Sequence, residues 1–95
     1  MTKQDVLNYL SSHKEKFQKD FGINKIGLFG SFARDQATQY SDIDLVIEMN
    51  PKSLERRIAF KRQIESDLNR SSDVGYMSTL RSFIAKEVSK DIIYV

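Results

Sequence analysis

Between residues 42 and 49 the chain reads DIDLVIEM, in which Ile43, Leu45 and Ile47 alternate with Asp42, Asp44, Val46 and Glu48. A period of two marks a β-strand with one buried face, because successive side chains leave a strand on opposite sides. The apolar set has to meet a core. Asp42 and Asp44, two residues apart, then project together from the other face.

The sequence on either side supplies the rest of a sheet and its helices. Val6, Leu7, Leu10 and Phe17 recur at helical spacing over residues 3–19, with Thr2 placed to cap the start and Asp5 in the first turn. Ile23–Gly30 (INKIGLFG) reads as a strand running into a turn, and after Ser31 a short helical piece extends from Phe32 to Ala37. Asn50 and Pro51 stop the 42–49 strand, and Ser53 caps the following helix. In that helix Leu54, Ile58, Phe60, Ile64 and Leu68 form two adjacent i, i+4 rows, a broad apolar face to pack on the sheet. Asp73–Met77 reads as a third strand, weakened by Gly75, with Met49 and Met77 as core fillers at strand ends. Leu80, Phe83, Ile84 and Val88 predict a last amphipathic helix, and Ile92–Val95 a short terminal strand. The order α-β-α-β-α-β-α-β specifies an α/β (α+β) fold, a small sheet with helices packed on it.

Ninety-five residues predict a single domain, 1–95, and 40% hydrophobic content with ten aromatics is enough to build its core. A formal net charge of +2 gives no argument for direct binding of nucleic acid or an anionic membrane. Without cysteine there is no disulfide framework, thiolate zinc site or thiol nucleophile. The opening MTKQDVLNYLSSHKEKF lacks the apolar run of a signal peptide, and no stretch nears the roughly 18 apolar residues of a membrane span. A cytoplasmic protein is the expectation.

Three features of this topology point to chemistry. Gly30-Ser31 sits where a strand passes into a helix, a junction whose free N–H groups and helix dipole suit a phosphate. Asp42 and Asp44 repel one another unless a cation lies between them, and paired carboxylates are ligands of the kind Mg²⁺ takes. Asp73, on a strand of its own, could reach the same place, since neighbouring strands run only about 4.8 Å apart. Three carboxylates can bridge two divalent ions, a recurrent device for in-line displacement at phosphorus. The reaction class that follows is nucleotidyl transfer.

These residues also carry a resemblance. Gly30-Ser31, ten residues, then Asp42-Ile43-Asp44 resembles the Gly-Ser-x10-Asp-x-Asp signature of the DNA polymerase beta-like nucleotidyltransferase superfamily. GSFARDQATQYSDIDLVIE is similar to the core of its minimal nucleotidyltransferase (MNT) domains, and the closing IYV resembles their terminal strand, so the likeness spans nearly the whole chain. The resemblance implies the nucleotidyltransferase fold, two Mg²⁺ ions held by Asp42, Asp44 and Asp73, and ATP phosphates held by Gly30 and Ser31, with Arg34 serving phosphate or local structure. MNT domains resemble the catalytic half of kanamycin nucleotidyltransferase without its substrate-binding domain, so a partner has to supply the acceptor. For MntA-type antitoxins that partner is a HEPN-domain toxin, which receives AMP from ATP on a tyrosine. Two departures stand out: Asp35 occupies a family glycine position, and SSDVGYM is less apolar than the usual third-aspartate strand.

Plainer roles stand beside these. Asp42 and Asp44 could be a solvated strand face, Asp73 a turn residue, Gly30-Ser31 a turn and cap, and Arg34 a structural or solvated side chain. Glu48 reads as an ordinary exposed glutamate and His13 as a surface residue. The run Glu55, Arg56, Arg57, Lys61 and Arg62 reads as the wet side of a helix or a docking surface for an acidic partner. Two further functions remain open: a catalytically silent MNT antitoxin that only occludes its partner, and a small-molecule adenylyltransferase, for which the chain has little room to build an acceptor pocket.

Overall fold

The computed structural model describes residues 1–79 and 91–95. Along the chain come α1 (Lys3–Phe21), β1 (Ile23–Phe29), α2 (Gly30–Ala33), β2 (Ile43–Met49), α3 (Leu54–Leu68), β3 (Ser72–Tyr76) and β4 (Ile93–Tyr94). The helix expected on Leu80, Phe83, Ile84 and Val88 lies outside the described residues. The strands line up as β3-β2-β1-β4, with β1 antiparallel to β2 and β4, and β2 parallel to β3. This is the small mixed sheet that the sequence predicts. The parallel pair needs a crossover to bring the chain back to the same end of the sheet, and α3 is that crossover.

Local chemistry sets the helix ends. At the start of α1 the Thr2 hydroxyl accepts the Asp5 N–H (3.2 Å) and the Thr2 N–H donates to the Asp5 carboxylate (2.8 Å), a reciprocal capping box. The Ser53 hydroxyl accepts the Arg56 N–H (3.2 Å) to open α3, and Asn69, at φ 51°, ends it in a left-handed turn. Val6, Leu10 and Phe17 of α1 and Phe60 and Ile64 of α3 cover Ile26, Leu28, Ile43, Leu45 and Ile47 on one face of the sheet. The Phe17 and Phe60 rings meet edge to face, 5.0 Å between centroids. No described helix is long and apolar enough to cross a membrane.

Four local expectations are corrected. Val46, assigned to the polar face of β2, is fully buried. It sits opposite Gly27 of β1, where an added Cβ would lie 2.7 Å from Ile92 Cγ2 and 3.0 Å from Val46 Cγ2, so residues leading into β4 close this face. Next, α2 starts at Gly30 and not Phe32, and stops at Ala33 because Asp35 turns left-handed (φ 56°). On α3, Phe60 and Ile64 are buried but Leu54 and Ile58 remain 59% and 39% exposed. Arg57 and Lys61 occupy the stripe between them and donate to the outward carbonyls of edge strand β3, Arg57 to Val74 at 3.2 Å and Lys61 to Ser72. Finally, His13 is half-buried, stacked 4.4 Å from the Tyr9 ring, and Met77 is helical, while Met49 is buried as expected.

Candidate active site

Gly30 stands where β1 turns into α2 with φ 74°, a conformation side chains disfavour. A Cβ there would also collide with the Asp44 carboxylate. Glycine is thus required twice, and its bareness lets Asp44 reach the backbone that opens α2. The residue before the helix, Phe29, gives no side-chain cap, which leaves the first-turn N–H groups available to an anion. With four residues α2 has little macrodipole, so what it could offer an anion is those directed N–H groups and not the helix dipole expected from sequence.

Asp44 and Asp73 are register partners across the parallel β2–β3 pair, so both carboxylates leave the same face of neighbouring strands. Asp42 is exposed in the turn just before β2, two residues from Asp44. Burial, then Asp73, then Asp42 push the half-buried Asp44 carboxyl above its ordinary value, and Arg34 opposes them. The four charges therefore share one field. Arg34 itself donates to Gln36 Oε1 (3.2 Å) and lies 3.7 Å from the Asp91 carboxylate. Among the described residues no three acidic or histidine side chains form a closed metal cage. What the strand ends present is a set of hard oxygen donors that repel one another, and that chemistry fits Mg²⁺.

Asp35 holds a left-handed backbone (φ 56°), a turn glycine makes freely and aspartate makes at modest cost. Its carboxylate pairs with Lys3 of α1 at 2.9 Å. Asp73 lines an open groove of about 290 Å³ with Leu54, Arg57, Ile58, Lys61 and Val74. Arg70 carries no sequence signal of its own, yet its Nη1 donates to the carbonyls of Thr38 (3.0 Å) and Ser41 (2.9 Å). Its partners are 32 and 29 residues away in sequence, so no local pattern could have shown it.

Residues 10–95 match the family model described as nucleotidyltransferase domain. The protein adenylyltransferase MntA of Thermococcus cleftensis is 32% identical over 96 residues, an alignment that covers 100% of this chain and 97% of the relative. Two solved structures share the fold, each with a TM-score of 0.70. One is a toxin–antitoxin with AMP-PNP, 19% identical over 87% of this chain and 69% of that one. The other is the toxin–antitoxin MntA–HpeT in mutant form, 14% identical over 99% of this chain and 72% of that one. Sequence match and fold agree over almost the whole chain, and on that agreement this protein belongs to the nucleotidyltransferase domain family.

Proposed function

We propose that this protein is a Mg²⁺-dependent adenylyltransferase of the cytoplasm, one catalytic domain that moves AMP from ATP onto a hydroxyl of a partner protein. By family resemblance the acceptor is a tyrosine of a HEPN-domain toxin, which the transfer silences. The name of the Thermococcus relative and the toxin–antitoxin neighbours support this reading. The observation that carries it is the place of Asp44, pressed against Gly30 on one side and paired in register with Asp73 on the other.

Asp42, Asp44 and Asp73 are the residues that would hold Mg²⁺. When bound, the metal offsets triphosphate charge and stabilises charge on the attacking and leaving oxygens. The chain does the rest. Gly30 allows phosphate to approach the backbone, and the first-turn N–H groups of α2 and the Ser31 hydroxyl donate to phosphate oxygens. Arg34 adds a cation beside Asp44. Asp73, exposed on the edge strand and open to the groove, takes the proton of the incoming hydroxyl. The acceptor oxygen then bonds to the α-phosphorus, the bond to the bridging oxygen breaks, and pyrophosphate leaves.

A second reading is an antitoxin that acts by occlusion alone, to which Asp35 beside the site and a third-aspartate strand interrupted by Gly75 give weight. One experiment separates the two: incubate the protein with a HEPN-domain partner, ATP and Mg²⁺, and read intact masses. AMP increments on the partner, lost in folded Asp42→Asn and Asp44→Asn variants, support transfer. Unchanged increments in either variant refute the site, and a complex without adduct supports occlusion.

A further inference from the structure

The turn from α3 into β3 carries an arginine that the reaction above leaves unused. Besides its bonds to the Thr38 and Ser41 carbonyls, the Arg70 guanidinium lies 5.2 Å from the centre of the Phe32 ring. These contacts join the three segments that bear the site. Phe32 follows Ser31 on α2, Ser41 immediately precedes Asp42, and Arg70 itself leads into β3 and Asp73. We propose that Arg70 is a positioning residue that holds the loop before β2 in register with α2 and β3, and so sets where Asp42 stands relative to Asp44 and Asp73. The inference rests on the site assignment under Proposed function.

The loop needs such a clip. Its other bonds run within itself: the Thr38 N–H to the Ser41 hydroxyl (2.8 Å), the Ser41 N–H to the Thr38 carbonyl (3.1 Å) and the Tyr40 N–H to the Thr38 hydroxyl (3.2 Å). Among the described residues, the side-chain bonds that tie residues 38–41 to another segment are the two from Arg70. The backbone bond from Ile43 N–H to the Ser71 carbonyl (2.9 Å) begins only beyond Asp42. Residues 38–40 and Asp42 are exposed, with no apolar anchor of their own, and Tyr40 is 85% exposed. An arginine suits the task because one planar group can serve two carbonyls and lay its flat face on an aromatic ring. A lysine ammonium can meet the carbonyls but has no such face.

The test compares wild type with Arg70→Gln and Arg70→Lys by amide hydrogen exchange over residues 38–42, thermal midpoint, and Mn²⁺ binding in the presence of ATP by electron paramagnetic resonance. Faster exchange in the loop and Mn²⁺ affinity weakened about tenfold, as when a support of a metal ligand is lost, are expected for Arg70→Gln. Arg70→Lys should recover part of that affinity. The Mg²⁺ concentration for half-maximal transfer should rise while the rate at saturating Mg²⁺ is kept, a split that mere destabilisation does not produce. Unchanged Mn²⁺ affinity in folded Arg70→Gln overturns the inference; if that variant does not fold, unchanged affinity in Arg70→Lys does so. Wild type that takes up no Mn²⁺ with ATP overturns the site assignment itself, and the positioning role falls with it.

Discussion

Asp44 meets two opposed demands. It is half-buried beside Asp73 and Asp42, so its negative charge costs the fold stability, yet a cation site needs that charge. A carboxyl raised by burial and like charges is neutral in folded and unfolded chains alike well below the ordinary carboxylate range, and its cost appears as pH rises through the raised value. Metal-free Asp44→Asn should therefore melt a few degrees above wild type at neutral pH, a gap that closes on acidification and is read by calorimetry across pH. The gain is kept small because solvent screens a carboxylate this exposed. The same variant should transfer no AMP, a trade of stability against function. At position 35, Asp35→Ala should lose about 1–2 kcal/mol from the left-handed backbone, whereas Asp35→Gly should stay near wild type; denaturant midpoints distinguish them. Alternation alone put Asp42 and Asp44 on one face, because their apolar neighbours needed a core. It could not show that Asp73 aligns with Asp44, or that Gly30 is pressed by a carboxylate, since both depend on strand register.

At the scale of elements, the α3–β3 unit carries Asp73 on an edge strand and ties that strand down with side chains. The Glu65 carboxylate accepts the Ser72 N–H (2.7 Å) and a bond from Lys61 (3.0 Å). The Ser72 N–H first, then Lys61, hold its pKa below the usual glutamate value. Its contribution is thus present above the ordinary glutamate range and lost as pH falls through the lowered value. Glu65→Gln is expected to lower the thermal midpoint at neutral pH, with a gap to wild type that narrows in acid, and to speed exchange in β3. Ile64→Ala, by contrast, removes a fully buried side chain and should cost about 2–5 kcal/mol of global stability, measured by chemical denaturation. Helical periodicity revealed α1 and α3 because their buried rows are long. The exposure of Leu54 and Ile58 was hidden, as it depends on Arg57 and Lys61 reaching a strand edge that sequence spacing cannot place. The burial of Val46 is hidden for a related reason: Ile92, which lies with it against Gly27, is far along the chain.

For the molecule as a whole, ATP with Mg²⁺ should raise the thermal midpoint and chelation should abolish the rise. A ligand at a hundred times its dissociation constant adds about 2.7 kcal/mol to a fold that alone can bind it. Calorimetry with and without EDTA checks this, and no shift would count against the site. The parallel pairing of β2 with β3 has one more consequence. A β1–β2 hairpin can form early from local contacts and sets Asp44 beside Phe29 and Gly30, but Asp73 arrives only when the long crossover closes. On the proposed site a half-folded chain would transfer nothing, and the first transferred nucleotide during refolding would time the docking of β3.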